Sequence, residues 1–92
     1  MKYEIKFTTR FKRDSKLVAR QGKDLAKLRD VVLKLADKVP LEERFHDHEL
    51  VGEYRGFREC HIEPDWLLIY EYYEDMLILS LTRTGSHSDL FG

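Results

Sequence analysis

Apolar and polar residues alternate at the start of the chain, where Tyr3, Ile5 and Phe7 interleave with Lys2, Glu4 and Lys6. That period of two predicts a half-buried strand. The period then lengthens. Phe11, Leu17 and Val18 are the apolar positions of a helix that runs to about Arg20, with Thr8 or Thr9 as its cap. Gly22 punctuates the chain. Leu25, Leu28, Val32, Leu35 and Val39 recur three and four residues apart, which predicts a second helix over about 24–38 with a core-facing stripe. Pro40 ends the helical part.

The second half reads as strands. The first spans about Tyr54 to Ile62, and Pro64-Asp65 forms a turn. Trp66 to Tyr73 is a nearly continuous apolar and aromatic run, the signature of a central strand covered on both faces. Glu74-Asp75 turns the chain, and Met76 to about Arg83 returns beside it. Short connections favour antiparallel pairing. The predicted class is α+β, with two N-terminal helices packed on an antiparallel β-sheet. A length of 92 residues predicts a single domain over 1–92 with a modest core.

Composition narrows the setting. No apolar run approaches the roughly 18 residues needed to span a bilayer, and no signal-peptide core follows Met1. The lone Cys60 excludes an internal disulfide framework and reads as a small buried hydrophobe in a reducing compartment. A cytoplasmic protein without a membrane partner is expected. The net charge of −1 conceals polarity along the chain. Residues 1–39 hold twelve Lys/Arg against five Asp/Glu, or +7, and residues 40–92 hold four against twelve, or −8. The basic half suits a polyanion, since Lys and Arg neutralise phosphates. Arg13, Lys16 and Arg20 repeat at helical spacing, and Lys23 and Lys27 continue the run. The solvated face of a helix accounts for any single lysine equally well.

The candidate chemistry lies in histidines. All four fall after residue 45, and three of them, His48, His61 and His87, have acidic or aromatic neighbours. Alternation puts Glu59 and His61 on one face of a strand and Cys60 and Ile62 on the other. With Cys60 and Ile62 in the core, His61 faces outward, and Asp65 in the turn can reach back to fix its tautomer. Trp66 beside it reads as exposed. The ending Thr84-Gly85-Ser86-His87-Ser88-Asp89-Leu90-Phe91-Gly92 is rich in hydroxyls and turn formers. Phe91 can anchor the tail or stack on a nucleobase. Arg83 can hold a phosphate through its planar fork.

His48, the run His61-Ile62-Glu63-Pro64-Asp65-Trp66-Leu67-Leu68-Ile69-Tyr70 and the ending from Arg83 to Gly92 resemble the YafQ-type toxins of the RelE/ParE superfamily. The resemblance covers essentially the whole chain. It implies a toxin of a bacterial type II toxin–antitoxin pair that cuts messenger RNA on the ribosome. The implied fold is a small α+β domain with a twisted antiparallel sheet. The implied partner is a cognate antitoxin, in a heterotetrameric complex. By match to the motif, the functional positions fall on His48, His61, Asp65, His87 and Phe91, with Trp66 adjoining. Glu49 departs from the pattern, which has proline after the histidine.

The same residues fit RNA chemistry on their own terms. Attack by the 2′-hydroxyl needs a base at that hydroxyl and an acid at the leaving 5′-oxygen, and histidine suits both roles near neutrality. His48, His61, Asp65 and His87 supply these groups, while Trp66, Arg83 and Phe91 would hold substrate. No cofactor is expected. Two other readings remain. His46, His48, His61 and Asp65 are all metal-ligand types, although His46 and His48 are expected to diverge and no H-E-x-x-H or C-x-x-C pairing is present. A non-enzymatic ParE-like toxin acting by protein contact would not need a histidine cluster.

Overall fold

The computed structural model describes residues 1–92. The chain runs β1 (Glu4–Phe7), α1 (Thr9–Arg20), α2 (Leu25–Ala36), β2 (His48–Glu49), β3 (Arg58–Glu63), β4 (Trp66–Tyr73), β5 (Ile78–Gly85) and α3 (His87–Phe91), with 3₁₀ turns at Glu43–Phe45 and Gly52–Tyr54. The five strands form one sheet in the order β1-β5-β4-β3-β2. Three of its four pairings are antiparallel, and β1 lies parallel to β5 at the edge. The α+β class expected from the pattern is the one observed.

Local chemistry starts both long helices. Thr8 caps α1 by accepting the Phe11 amide at 3.0 Å, and Asp24 caps α2 by accepting the Ala26 amide at 3.0 Å. Phe11 and Val18 of α1 are buried, but Leu17 is exposed. At about 100° per residue, Leu17 sits roughly 120° round from the Phe11–Val18 line. In α2 the buried stripe is Leu28, Val31, Val32, Leu35 and Ala36. Val39 lies past the helix end, beyond left-handed Lys38, and Leu25 is the exposed first residue of the helix.

The sheet is covered on both faces. The helical hairpin packs on one face around Trp66, Leu68, Tyr70, Leu79 and Leu81. Leu90 of α3 and the partly buried Leu50, Tyr54 and Phe57 pack on Leu67 and Ile69 of the other. Trp66 to Tyr70 are therefore buried on both sides, as their unbroken apolar run predicts. Two strand ends differ from expectation. Gly52 and Gly56, both at positive φ, break the extended run, so β3 starts at Arg58 rather than near Tyr54. Met76 and left-handed Leu77 belong to the turn, so β5 starts at Ile78 and continues to Gly85.

A bulge at Thr82 sets the course of the chain beyond it. Ile69 pairs with Arg83 and Tyr70 with Leu81, which leaves Thr82 as the extra residue. The inward positions change from Leu79 and Leu81 to Thr84, which lies opposite Leu68. Gly85, at φ 155°, holds a backbone conformation that side chains rarely adopt, and from it the tail folds back. The tail is a capped helix rather than a frayed end: Ser86 Oγ accepts the Asp89 amide at 3.0 Å, and Leu90 is buried.

Candidate functional site

The sheet edge formed by β2 and β3, the β3–β4 turn and the start of α3 bring the histidines together. Strand pairing sets His48 directly opposite Glu59, and alternation along β3 puts His61 on the same face as Glu59. The side chain of Glu59 is only 7% exposed, and its Oε1 lies 3.6 Å from His48 Nε2 and 3.5 Å from His61 Nε2. His48 Nδ1 donates to the carbonyl of His46 at 2.7 Å, since a carbonyl can only accept. Its Nε2 is thereby left facing Glu59.

His46 and His48 do not diverge. His46 takes a left-handed conformation with φ 47° at the end of the 3₁₀ turn, and both side chains line the same open cleft of about 680 Å³. Arg44, Phe45, His61 and Glu63 line it as well. The ring of His61 is bracketed edge-on by His46 at 5.4 Å and by His87 at 5.7 Å between centroids.

Asp65 turns to His87 rather than to His61. Its Oδ1 accepts from His87 Nδ1 at 2.6 Å and from the His87 backbone N–H at 2.9 Å. The backbone donor first, and the imidazole second, hold the Asp65 carboxyl below its ordinary range. An ionised carboxylate only accepts, so Nδ1 carries the hydrogen and Nε2 is the nitrogen free to exchange a proton. Beyond the imidazoles, Lys27 and Lys23 reach Glu63 at 2.8 and 3.8 Å, so the basic helix α2 borders the cleft.

Two expected substrate contacts belong to the scaffold instead. Trp66 is fully buried, and its Nε1–H donates to Thr84 Oγ1 at 2.9 Å. A central strand covered on both faces leaves it no surface. Arg83 is gripped by Asp14 of α1, through Nε at 2.7 Å and Nη2 at 3.1 Å, and the Thr84 amide adds a third bond to Asp14 at 3.1 Å. Two of its three guanidinium nitrogens are thereby turned to the scaffold. Phe91 is different: it is 47% exposed and rests edge-on against Tyr54 at 5.5 Å. Cys60 is wholly buried, and burial pushes its thiol far above the ordinary range, so it is no nucleophile.

Glu59 and His46 join the site although the sequence pattern does not mark them as catalytic. Alternation places Glu59 on the His61 face, but its burial depends on β2 lying across it. His46 depends on a left-handed turn that no local pattern announces.

The same arrangement of strands and helices occurs in known proteins. A curated relative 37% identical over 97% of this chain and 96% of its own length is the mRNA interferase toxin YafQ of Escherichia coli. The crystal structure of the Escherichia coli DinJ-YafQ toxin-antitoxin complex matches with a TM-score of 0.88 at 35% identity, over the whole of both chains. A metal-bound toxin from Helicobacter pylori matches with a TM-score of 0.92 at 42% identity, over 97% of this chain and 99% of that one. The family of bacterial toxins of type II toxin-antitoxin systems called YafQ matches residues 3–92. This chain belongs to the YafQ family of type II toxins.

Proposed function

We propose that the chain is an mRNA interferase, an endoribonuclease that cuts messenger RNA in the decoding site of the ribosome. The observation that carries this reading is the gathering of three imidazoles: His48 and His61 line one open cleft and share Glu59, and His87, packed against His61, is held by Asp65. One imidazole removes the proton from a 2′-hydroxyl. The freed oxygen attacks the adjacent phosphorus, the bond to the 5′-oxygen breaks, and a second imidazole protonates that oxygen. Each proton transfer is typically worth about 10²–10⁴-fold in rate. Asp65 orients His87, and Phe91 offers a face on which a base can stack.

The cell setting follows from the same reading. The chain acts in the cytoplasm, where its cognate antitoxin holds it in a heterotetrameric complex that covers the cleft. No helix is long and apolar enough to cross a membrane. Arg13, Lys16 and Arg20 are exposed on α1 and would meet ribosomal RNA.

Induced expression of the wild type and of His87→Ala tests the proposal. Growth arrest with fragmented messenger RNA in the wild type alone is the expected result. Fragments should carry a 2′,3′-cyclic or 3′-phosphate on one side and a 5′-hydroxyl on the other. A 5′-phosphate would indicate attack by water, as in two-metal nucleases. The metal-bound Helicobacter pylori relative makes one control specific. Cleavage on programmed ribosomes should survive a chelator that leaves ribosomes intact, and loss of activity restored by zinc would overturn the 2′-hydroxyl route.

A further inference from the structure

We propose that Tyr54 is a positioning residue that holds the Phe91 ring ready to stack on a base of the RNA. Phe91 is the last residue of a helix of only five. Helix ends fray, so a side chain there needs outside support to keep one position. Leu90 is buried and anchors the helix, but consecutive helical side chains do not share a face. The Phe91 ring therefore depends on a contact of its own.

Tyr54 supplies it. The two rings stand nearly perpendicular, at 86°, with centroids 5.5 Å apart. Aromatic pairs favour this edge-to-face arrangement. It leaves at least one face of Phe91 uncovered, and the residue is 47% exposed. Tyr54 is itself fixed from below. With Leu50 and Phe57 it packs on Leu67, Ile69 and Leu90. Phe57 meets its ring edge-on, at 6.1 Å and 74°. The backbone around it is a closed loop. The Leu50 amide donates to the Phe57 carbonyl at 2.9 Å, and the Phe57 amide donates to the Tyr54 carbonyl at 3.0 Å. Gly52 and Gly56, at φ 71° and 97°, make its tight bends. Support thus runs from central strand β4 through Tyr54 to Phe91. Ordering a free ring on binding costs affinity, and a ring already held avoids that cost.

The kinetic part of this inference rests on the endoribonuclease reading, and the spectroscopic part does not. Tyr54→Leu keeps apolar bulk on Leu67 and Ile69 but removes the ring. Phe91 ring protons of the free toxin are followed by NMR in the wild type, Tyr54→Leu and Tyr54→Phe. Single-turnover cleavage is measured over a range of programmed-ribosome concentrations for the same proteins. Phe91→Ala and Tyr54→Leu/Phe91→Ala complete the set. In Tyr54→Leu the Phe91 ring signals should shift and average. Affinity should fall about 2–10-fold, the range that an aromatic pair is worth, with the loss in KM rather than in the saturated rate. Tyr54→Phe should restore both readings, because the ring and not the hydroxyl makes the contact. In the Phe91→Ala background Tyr54→Leu should add no further loss.

Unmoved Phe91 signals in Tyr54→Leu would overturn the proposal, as would undiminished affinity, a loss confined to the saturated rate or no recovery in Tyr54→Phe. So would an equal loss in the Phe91→Ala background, which would mean that Tyr54 touches the RNA itself. Should Tyr54→Leu not fold, Tyr54→Met decides by the same two readings. A wild type that cleaves no messenger RNA sinks the endoribonuclease reading, and the ring signals still decide whether Tyr54 holds Phe91.

Discussion

The end of β5 and the start of α3 carry two side-chain pairs built alike and placed differently. Arg83 with Asp14 and His87 with Asp65 each join an aspartate to a nitrogen-bearing side chain and to a nearby backbone N–H. The side-chain bonds are equally short, at 2.7 and 2.6 Å. Exposure separates them. Arg83 and Asp14 are 12% and 13% exposed, and His87 and Asp65 are 54% and 67% exposed. The mostly covered pair is costly to break, so it fixes α1 against the sheet. An exposed pair contributes little to stability but keeps a ring oriented with one nitrogen free. Bond geometry alone does not tell the two pairs apart, and exposure does.

The largest effect should come from the exposed pair. His87→Gln keeps size and hydrogen bonding but cannot titrate. Cleavage should fall about 10²–10⁴-fold, while melting temperature and antitoxin binding stay near wild type. A near wild-type rate would mean that His87 moves no proton, and the site would have to be rebuilt around His48 and His61.

The converse holds for the buried pair. Asp14→Ala strands the Arg83 guanidinium and the Thr84 amide, and it should cost about 3 kcal/mol of stability. Activity of the folded fraction should persist. Denaturant melts alongside single-turnover rates check this. If instead stability is kept and ribosome affinity rises, Arg83 has been freed to bind phosphate, the role its planar fork suggests.

These two pairs also mark where sequence reading runs out. Local signals are legible: the Thr8 and Asp24 caps, the β4 run and the outward face of His61 each depend on residues a few positions apart. Arg83 and Asp14 lie 69 residues apart, and nothing near either announces the other. The Thr82 bulge shifts the inward phase of β5, which period-two reasoning cannot foresee. Trp66 borders a polar turn yet belongs to a strand covered on both faces, so its neighbours misreport its depth. Proximity in sequence points Asp65 at His61, because both flank one turn, but the tail folds back and presents His87 at closer range.

Phe91 and Leu90 sharpen the contrast within α3 itself. Leu90 is buried against Leu67 and Ile69, and Phe91 is exposed beside Tyr54. Leu90→Ala should cost about 2–5 kcal/mol of stability. Phe91→Ala should leave the melting temperature nearly unchanged and lose about 1–3 kcal/mol of base stacking, seen as weaker substrate binding. A destabilisation of Phe91→Ala matching that of Leu90→Ala would make Phe91 an anchor of the tail.

Acid should release the exposed pair with little effect on the fold. The Asp65 carboxyl titrates below its ordinary value of 3.8, chiefly because the His87 backbone N–H donates to it. A depressed carboxyl contributes stability that is fully present above the ordinary value and is lost as pH falls through the folded value. The window therefore lies below about pH 4, and added salt should narrow the effect, because exposed charges are screened. Following the Asp65 carboxyl and the His87 amide by NMR through this window should show both changing together, with the denaturation midpoint barely moving. Asp65→Asn should remove the coupled change at the His87 amide. If the amide signal still moves with acid in that variant, another carboxylate reports there, and the orientation of His87 does not depend on Asp65.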